Sequence, residues 1–238
     1  MTSRNWVRFF LTTLLIGALT TGIVGMVVRW NEFVKVLSGF NIVGMLSIFL
    51  WLFGVGLIFS LLSQMGFFAY LTIHRFGLGL FRSVKLWNAV QIIFILFTIF
   101  DLVYMRYSRF AQAGDSILPY IGVALLILVI GLAVAYFKAK QTNMSAFVPA
   151  VFFMVVITIL EWVPVLRINK ESWFYIMLFA LLACNAYQLL TLHKVNEKSE
   201  QQRKSKSIVQ QGKNKSAVSK QGKKKSVAHQ GNNKKVNH

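Results

Sequence analysis

The sequence contains little that could build a covalent or metal-bound framework. It has one cysteine among 238 residues, Cys184, so no disulfide can form within the chain and no cysteine metal site is available. His74 has no second histidine near it in the apolar part of the sequence, whereas a metal site needs several converging ligands. We therefore predict neither a bound metal nor a cofactor.

Catalytic motifs are missing as well. The sequence contains no zinc-protease helix signature, no phosphate-binding glycine loop, and no serine, histidine and aspartate at a recognisable spacing. These absences disfavour catalysis. We predict no catalytic residue and expect a protein that is not an enzyme.

Acidic residues are also scarce, and the basic residues are unevenly distributed. Only 7 Asp and Glu oppose 26 Lys and Arg, which gives a formal charge of +19, while 56% of the residues are hydrophobic and 14% are charged. Thirteen of the 26 basic residues lie from His193 onward. An apolar body followed by a basic tail is typical of a membrane protein.

The apolar body contains six runs of about 20 residues, and each is long enough to cross a hydrocarbon core of about 30 Å. These runs predict an all-α polytopic integral membrane protein in which residues 1–195 form a six-span membrane domain. The predicted spans are residues 9–28, 42–62, 86–105, 117–137, 147–166 and 173–192.

The first predicted span has two further features. Its uncharged run, Phe9 to Val28, exceeds the roughly 7–15 apolar residues of a signal peptide, which favours a retained span. Gly17, Thr21 and Gly25 lie four residues apart, so small residues follow one face of the helix. Such a face favours close packing against another helix.

Residues 196–238 form a tail of Lys, Ser, Gln, Asn and Gly with almost no large apolar side chain. This composition predicts a disordered, Lys-rich cytoplasmic tail, because it buries too little apolar surface to offset the loss of chain entropy. Its charge favours attraction to anionic lipid headgroups. The tail lacks the interleaved aromatic residues of single-strand binding segments, so we do not expect a nucleic-acid partner.

Residues 64–85 interrupt the apolar body with Gln64, a His74–Arg75 pair and two further basic residues, Arg82 and Lys85. A helix from residue 42 to 73 would be roughly 48 Å long, too long for one untilted crossing. Residues 65–85 are therefore expected to protrude, to lie at the interface or to re-enter the membrane. Arg75 and Arg82, seven residues apart, either contact a partner or only anchor this segment to headgroups, and they share one helical face if the segment is helical.

The third predicted span carries a stripe of polar residues, because Asn88, Gln91, Thr98 and Asp101 fall on one side of a helical wheel. This stripe is expected to face protein and not lipid. Asp101 lies near the end of the span, where it either reaches the interface or pairs with Arg106. The predicted partner contacts are Gln64, His74, Arg75, Arg82, Asn88, Gln91 and Asp101.

Several long strings of residues also point to a known family. The strings are residues 3–8, 14–17, 21–25, 28–30, 63–82 and 86–91. Over about residues 1–195 the chain resembles the KinB-signalling pathway activator (KbaA) family. The resemblance implies a bacterial integral membrane protein that helps to activate a membrane sensor histidine kinase, KinB, which feeds the sporulation phosphorelay. It implies no catalytic residues.

The first functional hypothesis is therefore a non-enzymatic membrane activator of a sensor histidine kinase. The alternative is a small transporter or channel, in which Asp101, Glu161 and Gln91 would form a polar path through the membrane. Loss of substrate flux from vesicles on Asp101→Asn substitution would favour that alternative.

The distribution of basic residues predicts the orientation in the bacterial cell membrane. With six spans both termini share one side, which receives 20 of the 26 Lys and Arg residues, against 6 on the other side. Without the tail the two sides would be nearly equal, so the tail determines the assignment. By the positive-inside rule both termini are cytoplasmic.

This orientation predicts that a reporter fused after residue 200 is active only if it functions in the cytoplasm. Activity of an externally active reporter at the same position, or trimming of the tail by protease in wall-less intact cells, would contradict the prediction.

Overall fold

The computed structural model describes residues 3–39, 42–112, 114–167 and 170–233, without the side chains of residues 3, 37, 171 and 206–233. The described residues form helices and connecting turns, with no strand. The chain divides into two compact units. One comprises residues 7–193, and the other comprises residues 1–6 together with 194–238.

The helices follow one another with short connections. In chain order they are α1 (Ser3–Val28), α2 (Trp30–Ser38), α3 (Ile42–Phe81), α4 (Val84–Phe110), α5 (Leu118–Gln141), a 3₁₀ turn (Met144–Ala146), α6 (Phe147–Phe152), a π-helical turn (Phe153–Ile157), α7 (Thr158–Leu166) and α8 (Glu171–Asn233).

Within the described residues, six helical segments are long and apolar enough to cross a membrane, as the sequence predicts. They are Arg4–Val28, Ile42–Phe81, Val84–Phe110, Leu118–Gln141, Met144–Leu166 and Ser172–Ser205. The fifth is the most enclosed, since 67% of its most apolar window is buried, against 11% for the second. The segment that contains α6 and α7 is therefore the central one.

Helix α3 differs from the sequence expectation at its end. It is one continuous helix of 40 residues, which at about 1.5 Å per residue is roughly 60 Å long. The re-entrant alternative for residues 65–85 is therefore excluded up to Phe81. The chain turns at Arg82, and the Ser83 hydroxyl accepts a hydrogen bond from the Leu86 amide (3.4 Å), which caps the start of α4.

Aromatic side chains fill the centre of the unit formed by residues 7–193. Phe153 is fully buried and contacts Phe67 edge-on, with ring centroids 5.4 Å apart, and Tyr70 at 5.0 Å. The Tyr70 hydroxyl donates to the Pro149 carbonyl (2.9 Å). These contacts join α3 to the central segment, and the phenol satisfies its only donor at a backbone oxygen.

Helices α1 and α3 approach closely along small residues. A β-carbon at Gly56 of α3 would lie 2.6 Å from the Cα of Ala18, and one at Gly25 would lie 2.8 Å from Leu52. The small face predicted for α1 therefore packs against another helix of the same chain. Side chains at these positions would force the two backbones apart.

The last helix extends past residue 193 into the residues of the predicted tail. Helix α8 continues to Asn233, in a stretch without proline whose Lys and Gln residues have good helix propensity; residues 234–238 lie outside the described residues. Ser199 is buried, and its hydroxyl accepts a hydrogen bond from the Asn5 amide (3.0 Å), which also donates to Gln202 (3.2 Å). The first turns of the tail are therefore held by the N-terminal segment.

The close approach of α1 and α3 predicts the effect of substituting its glycines. Gly56→Ala is expected to destabilise the protein by about 1–3 kcal/mol, because the new methyl group meets the α1 backbone. Gly54→Ala is the matched control, since a β-carbon there has nothing within 4 Å, and it should gain about 0.5–1 kcal/mol from helix propensity. Thermal unfolding of both purified variants in detergent compares them, and equal stability would contradict the packing.

Candidate functional site

A group of buried polar side chains joins three helices inside the unit of residues 7–193. We call it the polar centre, and its members are Ser63 of α3, Thr158 and Glu161 of α7, and Asn185 and Gln188 of α8. Glu161 is 6% exposed, and the other four side chains are fully buried. Polar groups so far from water need partners on neighbouring helices.

Asn185 is the hub of the polar centre. Its Nδ2 donates to Thr158 Oγ1 (2.9 Å) and to Glu161 Oε2 (2.8 Å), while its Oδ1 accepts from the Ser63 hydroxyl (2.7 Å). Gln188 Nε2 donates to the same Ser63 oxygen (2.7 Å). The carboxamide of Asn185 therefore uses both its donors and its acceptor, and it fixes α3, α7 and α8 against one another.

Glu161 occupies its position because α3 leaves room for it. A β-carbon at Gly66 would overlap with Glu161 Oε1, so only glycine fits opposite the carboxyl group. This Oε1 and Gln188 Oε1 are buried and have no hydrogen-bond partner among the described residues, which also form no ion pair with Glu161. The hydrogen bonds of the polar centre therefore hold these helices together.

The second part of the site is the end of the α3–α4 hairpin. Trp87 Nε1 donates to His74 Nδ1 (3.1 Å), and the Trp87 ring stacks on Phe81 with centroids 5.5 Å apart. A β-carbon at Gly77 would lie 2.6 Å from the same ring. His74 therefore packs between α3 and α4 and is half-buried, with its Nδ1 already used as an acceptor.

Arg75 and Arg82 are both exposed at this end, but they do not lie on the same face of one helix. Helix α3 ends at Phe81, and Arg82 has a φ of 50°, in the left-handed region that non-glycine residues rarely adopt. The expectation that the two arginines share a face therefore fails at Arg82. Together with exposed Lys85, they form a basic surface around the turn.

The structure separates the remaining predicted contact residues. Gln64 and Gln91 are buried, and neither carboxamide has a hydrogen-bond partner among the described residues. Asn88 is half-buried one turn before Gln91, while Asp101 is half-buried near the far end of α4. The polar stripe of α4 does face protein at Gln91, since its neighbours Ile92 and Ile93 are exposed.

Asp101 does not pair with Arg106, although the sequence spacing allowed it. Within the described ranges the one side-chain ion pair is Arg29 with Glu32. The Arg106 guanidinium instead lies over the Phe174 ring, 3.9 Å from its centroid. The cation therefore contacts an aromatic ring of α8. Asp101 forms no ion pair among the described residues.

Sequence reasoning identified Glu161 but missed Ser63, Asn185 and Gln188. A usable signal was present, because Asn185 and Gln188 are three residues apart in an apolar run and therefore lie on one helical face. That these side chains meet Ser63 and Glu161 depends on the packing of three helices, which spacing within one helix does not give.

The polar centre predicts opposite outcomes for two substitutions of Glu161. Glu161→Gln keeps an oxygen that accepts from Asn185 and removes a charge that burial disfavours, so its stability should be equal to or above that of the native protein. Glu161→Ala removes the acceptor and leaves a cavity, which should cost about 1–3 kcal/mol. Thermal unfolding in detergent checks both variants, and equal destabilisation would show that the charge itself is needed.

Comparison with known proteins identifies the family of the chain. Residues 17–195 match the family described as KbaA, KinB-signalling pathway activation in sporulation. The chain is also similar to the KinB-signaling pathway activation protein of Bacillus subtilis (strain 168), with 48% identity over 198 residues that cover 83% of this chain and 100% of that protein. No solved structure gives a significant match. The chain therefore belongs to the KinB-signalling pathway activation (KbaA) family.

Proposed function

We propose that this protein is a non-enzymatic membrane activator of a sensor histidine kinase of the KinB type, which feeds the sporulation phosphorelay. The observation that carries the proposal is the 48% identity to a KinB-signaling pathway activation protein along that protein's whole length. The family match ends at residue 195, so the membrane domain carries the function and the later part of the tail is accessory.

Insertion in the membrane is supported by what the helices expose. The outward side chains of the six long helices are mostly large and apolar, as at Ile58, Phe97 and Val129, each more than half exposed. Such a surface is favourable against lipid chains and unfavourable in water. Both termini and the α3–α4 turn lie on the cytoplasmic side, where basic residues are concentrated.

The contact with the kinase is made by the α3–α4 end, through Arg75 and Arg82. Both side chains are exposed, and both lie beyond the part of α3 that about 30 Å of hydrocarbon requires. A guanidinium binds a carboxylate with two parallel hydrogen bonds, so an acidic or carbonyl-rich kinase linker is the complementary partner. Gln64 and Gln91 would reach a partner only if the helices separated, because both are buried.

Activation then follows from selective binding. A protein that contacts the signalling state of the kinase more tightly than its resting state shifts the population toward signalling. A shift from mostly off to mostly on needs a difference of about 5.5 kcal/mol in binding free energy. The packing of a few helices against the kinase, together with one arginine contact, can supply a free-energy difference of this magnitude.

The transporter alternative gains no support from the positions of its three residues. Asp101 lines a cavity beside Ile159 and Val163 of α7, and neither Glu161 nor Gln91 lines that cavity. The Glu161 carboxyl group instead accepts a hydrogen bond from Asn185 and lies against Gly66. The three residues thus form no common path in the described part of the chain.

The direct test is photo-crosslinking in sporulating cells. A photoreactive residue at Arg75 should capture the kinase, because this position is exposed at the proposed contact. The matched control is the same residue at Phe97, which is 62% exposed on the apolar side of α4. Absence of kinase from the Arg75 product, or equal capture from Phe97, would refute the proposed contact.

Replacement of both arginines by lysine distinguishes a specific contact with the kinase from attraction to lipid headgroups. The double variant Arg75→Lys, Arg82→Lys keeps the headgroup attraction but loses the guanidinium fork, so kinase-dependent sporulation should fall by about tenfold at matched protein level. Lys85→Arg is the control on the same turn and should leave signalling unchanged. Full signalling by the double variant would reduce the two arginines to lipid anchors.

A further inference from the structure

A cavity of about 220 Å³ lies between α4 and α7, outside the polar centre and away from the α3–α4 turn. Its wall is mostly apolar and includes Ile159 and Val163 of α7. Three arginines and one acid also line it: Arg106, Arg109, Arg167 and Asp101. The cavity therefore combines an apolar wall with an excess of positive charge.

Arg106 is the member of this set whose position is fixed. It is half-buried, and its guanidinium carbon lies 3.9 Å from the centroid of the Phe174 ring and 5.6 Å from that of Tyr120. Its Nε is buried without a hydrogen-bond partner among the described residues. An arginine stays charged in proteins, so this cation is partly desolvated. Its aromatic partners, Phe174 and Tyr120, line a neighbouring cavity that Arg106 shares with this one.

Among the described residues, the neighbouring acids form no ion pair with Arg106. Asp101 forms no ion pair within the described ranges. Arg106 also lines a second cavity, of about 390 Å³, together with Asp115. The carboxylate of Asp115 accepts a hydrogen bond from the Gln112 amide (2.8 Å), which holds it in its own loop.

The other two arginines lie near helix ends. Arg109 is in the last turn of α4, Arg167 directly follows α7, and both are exposed. Long basic side chains at the ends of membrane-crossing helices reach toward the headgroups. Arg106, Arg109 and Arg167 therefore surround one cavity at the depth where a lipid phosphate lies.

We propose that this cavity is a binding site for an anionic phospholipid, with the headgroup phosphate held by Arg106, Arg109 and Arg167. Arginine forks match phosphate oxygens in geometry and charge. The apolar wall formed by Ile159 and Val163 receives the first part of an acyl chain. The volume is below the roughly 300 Å³ at which pockets that enclose drug-sized ligands begin, so the rest of the lipid lies along the helix surface.

This site is separate from the proposed kinase contact and does not rest on it. Asp101, predicted from sequence as a partner contact, acquires a different role, since its carboxylate limits the positive charge of the cavity. Replacing it with a neutral residue should therefore tighten the binding of an anion.

The test uses the full-length protein purified in detergent, with native mass spectrometry to measure lipid retention. The native protein should retain phosphatidylglycerol as a one-to-one complex and should release phosphatidylcholine. Arg106→Gln should weaken phosphatidylglycerol binding by about tenfold, and Arg109→Gln should weaken it as well. Asp101→Asn should strengthen it. Arg8→Gln is the matched control, an exposed arginine of α1 that does not line this cavity, and it should not alter retention.

Each other result would overturn the proposal. Equal retention of the two lipids would show that no anion is selected, and equal loss from Arg8→Gln and Arg106→Gln would show a general charge effect. Competition by millimolar inorganic phosphate with no retained lipid would identify a free-anion site. If Arg106→Gln does not fold, exposed Arg109 provides the same measurement through Arg109→Gln, and unchanged affinity there would refute the assignment.

Discussion

The structure depends on one set of interactions, the hydrogen bonds that link buried polar side chains of three helices inside an apolar bundle. The bond from Ser63 to Asn185 and the two from Asn185 to Thr158 and Glu161 connect α3, α7 and α8 at a single level. These side chains are buried away from water, so a lost partner is costly and the hydrogen bonds restrict how the helices can pack. Leucine and phenylalanine contacts alone would tolerate more than one arrangement.

Small residues make that arrangement possible. Glycine is required where backbone meets backbone or a polar head, as at Gly56 beside Ala18 and Gly66 beside Glu161. The central segment is also irregular, because a π-helical turn follows Pro149. The Pro149 carbonyl accepts a hydrogen bond from the Tyr70 hydroxyl of α3. Short side chains and a locally irregular helix thus bring α3, α7 and α8 close enough for the carboxamide of Asn185 to reach both neighbours.

The two ends of α4 are chemically different, although both carry arginines. Arg75, in the last turns of α3, and Arg82, at the turn itself, are both exposed. At the other end, Arg106 is fixed on Phe174 and borders an apolar cavity. A freely projecting guanidinium suits a partner that approaches from solvent, whereas a fixed one beside apolar walls suits an amphiphile. Kinase contact and lipid binding are therefore proposed at opposite ends of one helix.

The sequence by itself determined the helical class, the number of long apolar helices and where most of them begin, because each depends on local runs of apolar residues. The ends of α3 and α8, at Phe81 and Asn233, lie well beyond the predicted ones. It also determined the family, through long strings such as residues 63–82. Tertiary structure alone decided that Gln64 is buried, that Arg106 lies on Phe174 and not beside Asp101, and that Asn185 joins Ser63 to Glu161. These results depend on which faces of distant helices meet, and periodicity within one helix contains no information about its neighbour.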